Sequence, residues 1–476
     1  MRGGAYRSLM RNAVVGLLAA LGLSVSPQFA PASQLAVTHV TVIDPRDGST
    51  RRDATVLITG ARIAQVGRHV RVPRSARVID ASGKYLVPGL WDMHVHIGSL
   101  ESARAVFPAL IANGITGVRD MGTPLTDAIE IRTASRNGGL PGLEVFVAGP
   151  LLNGPLPFKT PLILSVGTPE ESRLAVDKLH AAGVDFIKVH DALPAPEYDA
   201  IASECRKIGI PFAGHVPPSV TAEHATEAGQ RSIEHLGGRF YGVLLACSTD
   251  EAAITNRIRD LVSSVLASMT AGKEPDDSVI FRAEITRPLV ERFDSDKASR
   301  LIARFRRKGT WHCPTLVSLP LRSALADRAD LSDEDRRWGK RLLEKIDSVV
   351  SRLATKDADL LAGTDAALAT PGLHEELALL VAAGLTPLQA LQTATVNPAR
   401  FFGRTRDFGS VSRGRIANLV VLDANPLTDI RNTRRISGVL VRGEYFEPKL
   451  EEPPVEANDR SKPVRQGLEK LSRSER

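Results

Sequence analysis

Cysteine is scarce in this 476-residue chain: the 3 present are Cys205, Cys247 and Cys313. An odd count with no C-x-x-C spacing gives no disulfide framework and no thiolate metal site, although a single bridge stays open. Cys313, beside Trp311 on a strand-like run, reads as a small buried hydrophobe. Aromatic residues make up only 5% of the chain, so the core must be mostly aliphatic. Long apolar runs are also missing. The one apolar stretch, Ala13 to Val25, is shorter than the about 20 residues a membrane-spanning helix needs. Acidic charge is outweighed, with a net charge of +7 and a pI near 9.4. Lys and Arg are nevertheless dispersed and carry no interleaved aromatic stripe, so nucleic acid is not the expected partner.

What is present is an ordinary globular balance, 43% hydrophobic and 24% charged. Residues 1–32 read as an export signal: Arg2, Arg7 and Arg11, then the apolar stretch, then Ala30-Pro31-Ala32 as a cleavage site. That places the mature protein in the periplasm or outside the cell, with no stable membrane span once the signal is cut. Segments 35–87 and 403–447 carry short β-type runs separated by turn residues such as Pro45, Gly48, Gly60 and Gly83. Two such segments flanking a central domain predict one small composite β-sandwich built from both chain ends. The stretch 448–476 is rich in charge, Pro and Ser and reads as a disordered tail.

Between these ends, residues 88–402 alternate strands and helices. Strand-like runs fall at Leu86–Ile97, Gly114–Arg119, Leu143–Ala148, Phe186–His190, Pro211–Val216, Ser232–Leu236, Thr310–Leu316 and Leu360–Thr364. Thr168-Pro169-Glu170-Glu171 and Thr386-Pro387-Leu388-Gln389 read as capping boxes that open helices with proline at the first position. Parallel strands joined by crossover helices predict an α/β fold, a (β/α)8 TIM barrel, whose chemistry gathers at the C-terminal strand ends. The gap from 237 to 309 is too long for an unstructured loop and reads as a helical insertion over the barrel mouth.

At those strand ends stand His94 and His96 as an H-x-H pair, Lys188, His215, His235 and Asp365. Strand period two points Asp92, His94 and His96 the same way, so two imidazoles can meet one metal. Imidazole and carboxylate ligands suit zinc and similar ions. A lysine in such a set makes sense only if its charge is reversed, as in a carbamate formed with CO2. His190 shares the parity of Lys188, either as a substrate contact or as a core residue. His374 is a weaker candidate.

With those residues and the motifs Val87–His96, Asn113–Asp120, Phe186–His190, Ser232–His235, Leu361–Asp365 and Leu385–Phe402, the chain resembles the amidohydrolase superfamily. Within it, the chain is similar to imidazolonepropionases and metal-dependent Xaa-Pro dipeptidases. The likeness runs from Leu35 to Tyr445, with Asn418 where the family usually has Asp. It implies a binuclear centre: His94, His96 and Asp365 on one divalent ion, His215 and His235 on the other, and a carboxylated Lys188 bridging them. Two cations roughly 3.5–4 Å apart would share a bridging hydroxide, and Asp365 would shuttle its proton to the leaving nitrogen.

The expected function is therefore metal-dependent hydrolysis of an amide-type C–N bond in a small peptide, N-acyl amino acid or cyclic amide. A lactonase, esterase or phosphotriesterase could share this metal centre, because those substrates differ in pocket shape. A non-catalytic metal- or ligand-binding protein is a further alternative. A mononuclear deaminase is disfavoured by Pro218, which stands where such enzymes carry Glu three residues after the strand-five histidine. The expected partner is a small molecule or short peptide, and an oligomer is compatible with the sequence.

Overall fold

The computed structural model describes residues 33–157, 159–271, 283–354, 359–365 and 372–447. The signal-like segment 1–32 and the charged tail 448–476 lie outside the described residues.

The N-terminal strands are β1 (Gln34–Ile43), β2 (Thr50–Thr59), β3 (Arg62–Gly67), β4 (Arg77–Asp80) and β5 (Tyr85–Pro88). The last strands are β15 (Leu419–Leu422), β16 (Ile436–Val441) and β17 (Glu444–Phe446). Together they make one eight-stranded sheet in the order β17-β16-β15-β5-β1-β2-β3, with β4 beside β1. Both chain ends thus meet in one sheet, through the antiparallel β15–β5 pair that runs from Leu419↔Pro88 to Leu422↔Tyr85. Alternate β-branched and aliphatic residues build its core: Val37, Val56, Ile58, Ile63, Leu86, Leu419 and Val421 are all buried.

The central strands are β6 (Leu90–Val95), β7 (Ile115–Asp120), β8 (Glu144–Val147), β9 (Leu151–Asn153), β10 (Ile163–Ser165), β11 (Ile187–Val189), β12 (Phe212–Gly214), β13 (Ser232–Glu234) and β14 (Trp311–Cys313). They form a three-stranded sheet, β6-β7-β8, and a six-stranded sheet, β10-β9-β11-β12-β13-β14, with every pair parallel. Burial on both faces and helices between the strands follow from that parallel pairing.

The run Leu86–Ile97, read from sequence as one strand, is two. Gly89 donates to the Asn418 carbonyl at 2.8 Å and Leu90 to the Gly114 carbonyl at 2.9 Å, so the chain leaves one sheet and enters another at that point. The expected strand Leu360–Thr364 pairs only as an isolated parallel bridge, Leu360 with His312. Its segment is nevertheless held on both sides: Leu361 donates to His312 (2.9 Å), Met93 to Ala362 (2.9 Å) and Asp365 to His94 (2.7 Å). Strands β9 and β10 have no counterpart in the sequence reading.

The 237–309 insertion is helical where described, with helices Gly242–Ala246, Glu251–Thr270, Ala283–Glu291 and Ser295–Lys308. Of the two expected capping boxes, Thr386 with Gln389 is complete. At the other, Thr168 accepts from the Glu171 N–H, but Glu171 reaches past it to accept from Gly167. The three cysteines are free and buried, and burial pushes the Cys205 and Cys247 thiols up to about 12. No described helix is long and apolar enough to cross a membrane.

Candidate metal centre

All six sequence-predicted ligands line one cavity of about 640 Å³. His94 lies within β6 and His96 just beyond it, Lys188 is the middle residue of β11, and His215 and His235 each follow their strand directly. His235 (φ 53°) and Asp365 (φ 50°) adopt left-handed backbone, which turns each side chain away from its strand line. Such a conformation costs about 1–3 kcal/mol for a non-glycine residue and persists only where the surroundings impose it. Gly363 permits the close approach that follows: a Cβ there would stand 2.6 Å from Cys313 Sγ and 2.8 Å from the His94 nitrogen.

The imidazoles share a pattern. Each ties its Nδ1: His94 to Glu234 Oε2 (2.9 Å), His96 to the Gly122 carbonyl (2.9 Å), His215 to Asp191 Oδ1 (2.8 Å) and His235 to Thr315 Oγ1 (2.5 Å). Carboxylates and a carbonyl can only accept, and the Thr315 hydroxyl is spent on the Pro314 carbonyl. The Nδ1 atoms therefore carry a proton, which leaves Nε2 with its lone pair wherever the ring is neutral. The Nε2 atoms of His94, His96 and His235 surround the Asp365 carboxylate at 3.6, 3.4 and 3.8 Å. His94 Nε2 is buried with no hydrogen-bond partner, as is Lys188 Nζ. Polar atoms so placed are costly unless something binds them.

Electrostatics point the same way. Burial, and then the Lys188 charge, hold His94 and His215 well below the usual histidine range. Burial brings His235 down to about 4. Neutral imidazole is the form that ligates a metal. His96 is raised: burial opposes its charge, but the Asp365 carboxylate outweighs that. Burial would raise Asp365 as well, yet the nearby His235, His96 and Lys188 hold it well below the usual carboxylate range. Lys188 falls to about 8 because burial outweighs the pull of Glu234 and Asp365.

Three clusters of compact donors emerge among the described residues: His94, His96 and Asp365, and His190, Asp191 and His215, whose members all line the cavity, and His94, Glu234 and Cys313, of which only His94 lines it. The donor set fits divalent cations, with imidazole nitrogens and a carboxylate converging and with His94 Nε2 and Lys188 Nζ lacking a hydrogen-bond partner. His190 lines the cavity with its ring 4.4 Å from that of His215 and its Nδ1 unpartnered. His374 does not join: its Nδ1 pairs with Thr433 Oγ1 at 3.0 Å, away from the cavity.

Sequence reading missed the residues that aim the ligands. Glu234 is fully buried, and Arg119 Nη2 donates to the same oxygen (2.8 Å) that holds His94. Asp92, expected from strand period to point with His94 and His96, is absent from the cavity lining and instead accepts from Thr364 N–H (3.0 Å) and hydroxyl (2.7 Å), which pins the Asp365 segment. Buried polar residues inside otherwise apolar strands were the available signal.

The Amidohydrolase family matches residues 85–445. Among curated proteins the chain is 28% identical over 411 residues to adenine deaminase 2 of Rhizobium meliloti, covering 85% of this chain and 55% of that protein. It is 27% identical over 422 residues to a dihydroorotase of Pelotomaculum thermopropionicum, covering 82% and 89%. The chain spans about half the length of most curated relatives it matches. Among solved structures, a Xaa-Pro dipeptidase with methionine in its active site superposes with TM-score 0.64 at 20% identity, over 87% of this chain and all of that one. A. niger ochratoxinase superposes with TM-score 0.63 at 20% identity, over 88% and 96%. The chain belongs to the amidohydrolase family, whose members here are hydrolases of C–N bonds.

Proposed function

We propose that this protein is a binuclear metal-dependent hydrolase of an amide-type C–N bond, with Asp365 as its proton carrier. One observation carries the reading: every imidazole of the set is anchored through Nδ1, and three present Nε2 to one carboxylate. His94, His96 and Asp365 would hold one divalent ion, His215 and His235 a second, and Lys188 as a carbamate would join them. Ions of the zinc type so held supply a polarised substrate carbonyl and an activated water near neutral pH.

The chain's own residues do the rest. Lys188, brought down to about 8 by burial, has an appreciable neutral fraction near neutral pH. Its nitrogen lone pair can bond the carbon of CO2 with loss of one N–H proton, which turns a repelling ammonium into an anion. Asp365 keeps its carboxylate ionised, so it can take the proton of an attacking water and deliver it to the departing nitrogen. Glu234 and Arg119 hold His94 in one tautomer, a role that tunes ligand strength.

The architecture proposed with this function is a (β/α)8 barrel in which segment 359–365 closes the parallel strands between β14 and β6. Its support is the hydrogen bonds from Leu361, Met93 and Asp365, together with Asp185 donating to Val147 on the far side at 2.8 Å. The eight-stranded sheet is read as the composite sandwich. Residues 1–32 are proposed to export the protein to the periplasm or beyond.

Purified, zinc-loaded protein should be screened against dipeptides, N-acyl amino acids, lactones and phosphotriesters side by side. Chelator-sensitive turnover of an amide supports the reading, whereas turnover confined to lactones or phosphotriesters replaces it. Deamination is a second reading, favoured by the names of the adenine deaminase relatives. Pro218 offers no acid at the position discussed above, and ammonia release from adenine is the direct check.

A further inference from the structure

Glu376 is a fully buried carboxyl that does not line the cavity. It stands on the helix Gly372–Ala382, whose Leu373, Leu377 and Leu380 pack into the core. Its Oε2 accepts from the Val317 N–H at 2.8 Å, while its Oε1 is buried with no hydrogen-bond partner. Burial pushes the carboxyl up to about 8, against the pull of the Val317 and Leu316 N–H groups. A half-satisfied buried carboxyl is costly, and packing alone would favour an apolar residue there. What Glu376 holds supplies the reason for it.

Val317 belongs to the 3-10 turn Leu316–Ser318. That turn opens at Thr315, a buried residue with left-handed backbone (φ 48°). A β-branched residue takes that conformation only where its surroundings impose it. Two hydrogen bonds brace the turn: Ser318 N–H to the Thr315 carbonyl (3.0 Å) and Val317 N–H to Glu376. At one end of the turn Thr315 Oγ1 meets His235 Nδ1 at 2.5 Å. At the other, Ser318, Leu319 and Pro320 line the cavity. His235 is the imidazole that most needs such bracing. His94 and His215 lean on carboxylates and His96 on a backbone carbonyl. His235 leans on a hydroxyl, which aims correctly only if its residue is fixed.

We infer that Glu376 is a positioning residue for the metal centre: it fixes the turn at Thr315, and Thr315 in turn aims the His235 ring into the cavity. This rests on the binuclear reading for the ion that His235 would hold, but the His235–Thr315 hydrogen bond can be observed with no metal bound.

The test sets Glu376→Met, which removes the acceptor at similar volume, beside Glu376→Gln, which keeps one. Chelator competition on the zinc-loaded proteins should show Glu376→Met losing about 10–100-fold in affinity for one of two equivalents, with the other held within about twofold. Glu376→Gln should keep both equivalents within about threefold of wild type. Thr315→Ala should weaken the same equivalent, and the Glu376→Met/Thr315→Ala double variant should lose no more than either single variant. In metal-free protein carrying isotope-labelled histidine, the His235 Nδ1–H resonance should persist in wild type and Glu376→Gln and vanish in Glu376→Met. Should Glu376→Met not fold, Glu376→Asp, one methylene short of Val317, should weaken that equivalent at least about threefold, and wild-type affinity would overturn the inference. Wild-type zinc affinity in Glu376→Met, equal weakening of both equivalents, losses that add in the double variant, or Glu376→Gln behaving like Glu376→Met would do the same. Wild-type protein holding fewer than two equivalents would overturn the binuclear reading instead, and the His235 resonance would then decide the positioning role alone.

Discussion

In the eight-stranded sheet, burial is almost wholly apolar: Val37, Val56, Ile58, Leu419 and Val421 fill the interior, while the Lys84–Asp423 and Arg62–Asp407 pairs sit at the surface. At the ends of the parallel strands the buried set is Arg119, Lys188, His94, Glu234 and Asp92, with His94 Nε2 and Lys188 Nζ lacking partners and left-handed backbone at His235 and Asp365. The first region is optimised for packing. The second holds charge and strain that packing alone would reject. The contrast teaches where function sits: buried polar atoms left open mark the place where a ligand completes the structure.

Substitutions in each region test how far the two differ. The largest effect is expected from Asp365→Asn, which would remove the proposed proton carrier. Turnover should fall by about 10²–10⁴-fold with the fold retained, read by steady-state kinetics beside circular dichroism; near-wild-type activity would refute the proton-carrier role. Lys188→Ala comes next. Its activity should be lost and then partly restored by added short carboxylic acids, which could occupy the place of the proposed carbamate; activity indifferent to both changes would remove lysine from the site. Glu234→Gln keeps the shape but weakens the hold on His94. A loss of about 10–100-fold in metal affinity or activity is expected, measured by chelator competition. The smallest effect belongs to the other region. Ile58→Val should cost about 0.5–1.5 kcal/mol of stability, seen in the denaturation midpoint, with kcat unchanged. A kcat that followed this sheet substitution would dissolve the distinction between the two regions.

Much of the site was legible because each ligand sits near or just beyond the end of a short apolar run, and parallel strand order then brings such ends together. His94, His96, Lys188, His215, His235 and Asp365 reach one cavity for that reason. The residues behind them were not legible. Glu234 meets His94 across 140 positions of sequence, and Thr315 meets His235 across 80, so no local pattern links them. The split at Gly89 was hidden because residues on both sides are apolar and β-prone, and only hydrogen bonds to Asn418 and Gly114 separate them. Strands β9 and β10 are three residues each, too short for a period to register. The helical insertion was legible in outline, but its contribution of Leu261, Val262 and Val265 to the cavity depends on tertiary packing that no local pattern encodes.

Lys188 and four imidazoles are proposed to hold a pair of ions. Elemental analysis of zinc-loaded wild type and Lys188→Ala, after dialysis under identical conditions, addresses this directly. Two equivalents per chain in wild type and one or fewer in the variant is the predicted result. Two equivalents in both proteins, or none in wild type, would contradict it.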